Sequence, residues 1–389
     1  MSSEEKPSED IVKVIKTLDP FPFDNYANRR HNKARMELDW GLQQHLEQAP
    51  NYPADDPDQL SAAVRPICVS MLEEIGYKGT PRPSDQAIES LLALMRQRAI
   101  QIAVPLDNPA SSKAFWLAFS LGLLSYISHP VEVQAYIGLF TWLLTQYDDI
   151  VGQKGQMLEQ AGRFHERFFR GETQPNALLD GVAQLVREAP EHFDPVLSTL
   201  IQTSVLNFLT SNLLEQRTEF KNLCVTKEGG EFPYYFRAMA GLAEAYAICC
   251  YPKALYPDIG LFIEAIPAMS RFINITNDVL SFYKEEVGGD KRNYINNRAV
   301  CEEKSALQVL ELVKSDALGR AMRVRHILEG RGKYAKSWED FVRGYIAMHT
   351  TNSRYRLFEL HLGEEHPLAA FKASIKASLN PSADTCVPY

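Results

Sequence analysis

Apolar residues recur through most of this chain at the spacing of one helix face. Leu60, Val64, Ile67 and Met71 share such a spacing, and Ala87, Leu91, Leu94 and Ile100 repeat it before the breaker VPLDNP. Two segments are apolar nearly all round, Ser112 to Ser128 and, after His129-Pro130, Val131 to Tyr147. Pro130 suits the first turn of a helix, and a helix apolar on every side belongs at the centre of a bundle. Further helices are predicted at Leu178 to Arg187, Pro195 to Arg217, Tyr234 to Cys250, Ile259 to Glu286, Val300 to Leu328 and Trp338 to His361. GETQPN, TKEGGEFP, YPKALYPD and VGGDKRNYINN read as loops. Strand signals are few. No internal repeat divides the chain, and no linker between Ser61 and Leu362 is long enough to separate two domains.

The pattern therefore predicts an all-α fold, a single antiparallel helical bundle over residues 63–389, in which ligand sites lie between facing helices. Residues 1–62 are rich in Pro, Glu, Asp and Asn and read as a partly ordered N-terminal extension wrapping that body. A net charge of −8, with Lys and Arg scattered singly, argues against nucleic acid as a partner. The apolar stretches Ala114 to Ile127 and Ala135 to Leu144 are too short or interrupted for stable membrane insertion. Six cysteines without CxxC spacing read as reduced thiols, and MSSEEKPSED lacks a signal-peptide pattern, so a cytoplasmic location is expected.

Four polar clusters interrupt these apolar helices. In TNDVLSFYKEE, Asn277, Ser281 and Glu285 stand at i, i+4 and i+8, on one face over a rise of about 12 Å. Amide, hydroxyl and carboxylate oxygens are hard donors suited to Mg²⁺ or Mn²⁺. A stripe facing water is the plain alternative, but Ile273, Ile275, Val279, Leu280 and Phe282 around it leave little room for a solvated face. Asp148 and Asp149 end the helix from Val131, where the partial negative charge of the helix terminus disfavours carboxylates unless a cation compensates. Arg237 in YYFRAMAGL and Arg354-Tyr355 in NSRYR are the others: an arginine beside a tyrosine can hold a phosphate group, although each alone is more often a surface ion-pair partner.

Taken in order, DD ending an apolar helix, R-x-M-x-G-L, N-D-x-x-S-F-Y-K-E and R-Y-R-L resemble the motifs of class I terpene cyclases. The resemblance runs from about Ser112 to His361 and is nearest to the fungal trichodiene synthase family, with a longiborneol synthase-like sesquiterpene cyclase within its range. It implies the class I terpenoid synthase fold around a central apolar cavity, with three Mg²⁺ ions at the mouth. It implies that Asp148 binds metal, that Asn277, Ser281 and Glu285 bind another ion, and that Arg237, Lys284, Arg354 and Tyr355 contact the substrate diphosphate. Asp149 would pair with Arg354 on closure. The implied activity is ionisation and cyclisation of farnesyl diphosphate to a sesquiterpene hydrocarbon or alcohol with release of diphosphate. A homodimer is left open.

One departure stands out. The family's third carboxylate is absent from Asp148-Asp149-Ile150-Val151-Gly152, and Glu159 lies too far along to replace it. Phe115, Phe119, Phe140, Trp142, Tyr147, Phe208 and Phe272 are candidates to line the cavity, two or three of them at most, and the loops 226–231 and 287–297 are candidates for a lid. A chain-elongating prenyltransferase would be expected to carry a second Asp-rich motif where Asn277, Ser281 and Glu285 stand. A non-catalytic helical scaffold would leave the polar clusters unexplained.

Overall fold

The computed structural model describes residues 56–152 and 155–371. Most of the expected N-terminal extension, and Cys386, lie outside the described residues. No strand occurs among the described residues, and the fold is all-α.

Helix α1 (Pro57–Ile75) starts on an Asp56 cap whose carboxylate accepts from the first free backbone amides, and stops at Gly76 in the left-handed region. Helix α2 (Asp85–Ile102) is capped by Ser84, and α3 (Pro109–Ser120) by Asn108. Helix α3 runs into one wide π turn, Leu121–Ser125, and the chain reverses through Tyr126–Pro130 into α4 (Val131–Val151). The uniform apolarity of α4 is matched by its position, because α2, α3, the π turn and α7 (Ala177–His192) pack around it. The short helices α5 (Gln156–Gly162) and α6 (Phe164–Phe169) lead to α7, followed by α8 (Pro195–Glu215) and the single turn α9 (Thr218–Lys221).

The second half departs from the predicted spans in ways that shape the site. The helix expected at Tyr234 to Cys250 is broken into α10 (Phe232–Ala240) and α11 (Ala243–Cys249), with Leu242 in the left-handed region at φ 52°. Gly241 makes the break: a β-carbon there would stand 1.8 Å from Asn274 Oδ1, so only glycine lets the next helix approach so closely. Helix α12 (Ile266–Gly288) begins later than expected, after two 3₁₀ turns, with Pro267 in its first turn. Part of the expected loop 287–297 is helical, since Asn293 caps α13 (Tyr294–Glu302). Glu303, at φ 54°, then separates α13 from α14 (Ala306–Ile327), which opens with a reciprocal Ser305–Gln308 capping box.

Helix α15 (Lys333–Thr350) ends eleven residues short of the expected His361, and Arg354 and Tyr355 occupy a separate 3₁₀ turn, Ser353–Tyr355, capped by Asn352. Helix α15 rests on the π turn, and Gly344 permits it: a β-carbon there would fall 1.8 Å from the Leu124 carbonyl oxygen. Helix α12 packs against both α11 and α14, and α11 meets α4 where Tyr246 Oη lies 3.1 Å from Thr141 Oγ1.

Candidate active site

The end of α4, the last turns of α8 and α10, the middle of α12 and the Ser353–Tyr355 turn bring every candidate polar residue into one electrostatic network. On α12, Ser281 Oγ donates to Glu285 Oε1 at 2.6 Å, the contact that i, i+4 spacing permits. Asn293 Nδ2 donates to Glu285 Oε2 at 3.1 Å, and Lys284 Nζ lies 3.7 Å from Glu285 Oε1. Arg237 reaches across from α10. Its Nε donates to Asp278 Oδ1 at 2.6 Å, and its Nη2 to the Asn274 carbonyl at 3.0 Å and to Asn277 Oδ1 at 3.2 Å. Asn277 Nδ2 stands 3.0 Å from His349 Nε2.

The opposite wall is built differently. Asp148 and Asp149 sit in the last turn of α4. Asp149 Oδ1 accepts from Arg354 Nη2 at 3.3 Å. Asp148 faces the solvent of the cleft but is ringed by protein. That loss of hydration raises its pKa, the Asp149 charge adds to the rise, and Arg354, Lys284 and an Asn212 hydrogen bond oppose it. Lys284 feels Glu285, Arg354 and Asp148 alike, so it bridges the two walls, and burial holds its pKa down.

Sequence reasoning missed four residues here. Glu215 ends α8; burial, with the Asp148 and Asp290 charges adding to it, pushes its carboxyl up to about 7. Asn212 one turn earlier supports Asp148, Asp278 anchors Arg237, and His349 contacts Asn277. Asp278 could have been noticed beside Asn277 in TNDVLSFYKEE. The others carry no local signal, because each meets its partner only through the packing of distant helices.

These donors suit a hard divalent cation. They are all oxygens, and they include carboxylates that burial leaves short of positive charge: Glu285, like Glu215, is pushed up to about 7, with Lys284 and Ser281 working against the rise. Among the described residues no three His, Cys, Asp or Glu side chains converge closely enough to hold an ion alone. A cation held at this rim would need Asn277 and Ser281, and oxygens of a bound anion, beside these carboxylates.

Several candidate lining aromatics pack against other buried rings. Phe115 meets Trp142 edge-on at 5.6 Å, Trp116 meets Phe119 at 5.7 Å, and Phe272 meets Trp338 at 5.1 Å. Tyr147 and Phe208, 6.2 Å apart, lie beside Asp148, and Phe140 meets Tyr246 of α11 edge-on at 6.1 Å. Surface clefts occur elsewhere, one lined by Arg98, Arg187 and Glu188 and one by Thr350, Ser353 and Glu364; neither holds the α12 donors.

The fold is that of the class I terpene synthases. A linalool/nerolidol synthase from Streptomyces clavuligerus superposes with a TM-score of 0.51 at 11% identity, over 68% of this chain and 96% of that one. The trichodiene synthase (TRI5) family profile matches residues 64–372, and the chain belongs to that family. It is 35% identical over 293 residues to terpene synthase BipA of Cochliobolus sativus, covering 75% of this chain and 88% of that protein. It is 33% identical over 318 residues to longiborneol synthase CLM1 of Gibberella zeae, covering 81% and 92%. Trichodiene synthase of Paramyrothecium roridum is 26% identical over 314 residues, covering 77% and 79%. The chain is thus a terpene synthase, a lyase acting on a prenyl diphosphate, in a family that uses a divalent metal. No helix among the described residues is long and apolar enough to cross a membrane.

Proposed function

We propose that this enzyme ionises and cyclises farnesyl diphosphate to a cyclic sesquiterpene, hydrocarbon or alcohol, with Mg²⁺ as its cofactor, three ions in all. The observation that carries this reading is the convergence of hard oxygen donors from α4, α8 and α12 with Arg237, Lys284, Arg354 and Tyr355 in one network of contacts and charges. Kinship with longiborneol and trichodiene synthases supports a C15 substrate.

Asp148, with Glu215 supplying the carboxylate absent after Asp149, would hold metal on one wall, and Asn277, Ser281 and Glu285 on the other. Bound Mg²⁺ supplies positive charge against which the diphosphate leaves. The chain's own groups do the rest. Arg237, Lys284, Arg354 and Tyr355 donate to the diphosphate oxygens as the allylic C–O bond breaks and its electron pair goes to the leaving group. The buried aromatic interior keeps water from the allylic cation and presents π faces to it.

The segment 226–231 would close over the cleft together with 287–297. Lys227 Nζ already meets Glu303 Oε2 at 2.7 Å, which ties the first segment to the end of α13. Unchanged hydrogen exchange in both segments on adding Mg²⁺ and diphosphate would remove the lid from the proposal.

Incubation with C10, C15 and C20 prenyl diphosphates tests the main reading. Mg²⁺-dependent diphosphate release with a volatile C15 product by mass spectrometry is expected, and it is abolished by EDTA. A longer prenyl diphosphate formed from isopentenyl diphosphate would instead mark a chain-elongating enzyme, and no release from any substrate would sink the proposal.

A further inference from the structure

We infer that His349 is a positioning residue: it fixes which end of the Asn277 side-chain amide faces the cleft, and so decides whether α12 offers a cation an oxygen or an N–H. The inference rests on the metal-dependent reading above.

His349 lies in the last turn of α15 and is fully buried. Its Nδ1 is 2.7 Å from the Tyr345 carbonyl oxygen, which can only accept, so Nδ1 carries a hydrogen. Its Nε2 is 3.0 Å from Asn277 Nδ2. The other end of the amide decides the polarity of that contact. Arg237 Nη2 stands 3.2 Å from Asn277 Oδ1, and a guanidinium can only donate. The oxygen must therefore face Arg237 and the amide nitrogen must face His349. Two N–H groups cannot bond to each other, so Nε2 is the bare acceptor. The neutral Nδ1–H tautomer follows from the two fixed partners alone.

An asparagine held at one end only can turn its amide over and present N–H to a cation. Asn277 is held at both ends, with its oxygen turned toward the arginine side and its nitrogen toward the core. The ring that holds it is itself confined. Tyr345 meets it edge-on at 4.7 Å, and Tyr355 packs on it at 4.2 Å. One imidazole thus sets both the Asn277 amide and the ring of Tyr355.

The test uses the full-length protein with two substitutions. His349→Leu removes the acceptor at similar volume, and His349→Gln returns a carbonyl acceptor. Titration calorimetry of Mg²⁺ in the presence of inorganic diphosphate is measured beside the Mg²⁺ dependence of turnover. H349L should weaken Mg²⁺ binding by about tenfold or more, with H349Q recovering most of the loss. At saturating Mg²⁺ the kcat of H349L should return to within a few-fold of wild type, because the reacting groups are unchanged. A ¹⁵N spectrum of wild type without metal should show Nδ1 protonated and Nε2 bare. Nε2 protonated, or H349L melting earlier while binding Mg²⁺ as wild type does, would overturn the inference and leave the functional reading intact. Wild type that neither binds Mg²⁺ with diphosphate nor releases diphosphate would overturn both.

Discussion

The two walls of the site hold their oxygen donors in different ways. On α12 the donors are bonded before any ligand arrives: Ser281 and Asn293 hold Glu285, while Arg237 and His349 hold Asn277. On the α4 side, burial and the Asp148 charge raise the pKa of Glu215, and Arg354, Lys284 and Asn212 work against the rise that burial gives Asp148. One wall is preorganised and gains little by moving. The other is a concentration of negative charge that Arg354 and Lys284 partly offset. A site built this way keeps its geometry on α12 and puts its response to ligand on α4 and the Ser353–Tyr355 turn.

The sharpest way to break this comparison is to neutralise one carboxylate on each wall. Glu285→Gln and Asp148→Asn should each lower steady-state turnover by about a thousandfold or more, judged from what loss of one preorganised electrostatic group costs. Neither should lower the melting temperature, because each removes a buried or crowded charge. An Asp148→Asn enzyme that kept its turnover would show that α12 binds the metal alone.

Asp278→Ala attacks the preorganisation itself. The Arg237–Asp278 pair is largely buried, with side-chain exposures of 15% and 9%, so leaving the guanidinium unpaired should cost about 3–5 kcal/mol in a denaturant melt. A loss near zero would mean that the Asn274 carbonyl and Asn277 suffice to hold Arg237. Gly241→Ala should cost about 1–3 kcal/mol by the same measurement, since the new methyl meets Asn274 at the helix break.

The response to pH comes next. Glu215 and Glu285 are pushed up to about 7 in the fold against an ordinary 4.5. A raised pKa means that the folded state holds the proton more tightly than the unfolded chain does. Their contribution to stability is therefore complete below about 4.5 and is lost as pH rises through about 7. Melting temperature without metal should fall over this window, and the Glu215→Gln, Glu285→Gln double variant should flatten that fall. Mg²⁺ with diphosphate should restore the wild type at high pH, and a wild-type slope unchanged in the double variant would contradict the assignment. The smallest effect is expected at Asp149. Its pair with Arg354 is partly exposed, at 33% and 38%, so Asp149→Asn should change stability by no more than about 1 kcal/mol. Its turnover should fall less than that of Asp148→Asn.

Legibility followed the range of the interaction. Asn277, Ser281 and Glu285 could be picked out because i, i+4 contacts are made within one helix, and the same periodicity placed α4 at the centre of an all-α bundle. Asp148 and Arg354 were visible as chemistry out of place, carboxylates at a helix end and an arginine beside a tyrosine, and only the family resemblance, through the expected Asp149–Arg354 pair, set them near each other. The capping signals at Asn293 and Ser305 were present in the sequence too, yet the first fell inside a polar stretch read as a loop and the second inside a span read as one helix.

What the sequence by itself determined was the helical content and the donor stripe on α12, since both arise from contacts along a few turns of one chain segment. Tertiary structure alone decided that Glu215 and Asn212 complete the Asp148 wall, that Gly241 breaks a helix because Asn274 presses on it, and that His349 meets Asn277. Each of these is a contact between helices far apart in the chain. Its existence depends on which faces pack together, and residue spacing along one helix carries no record of that.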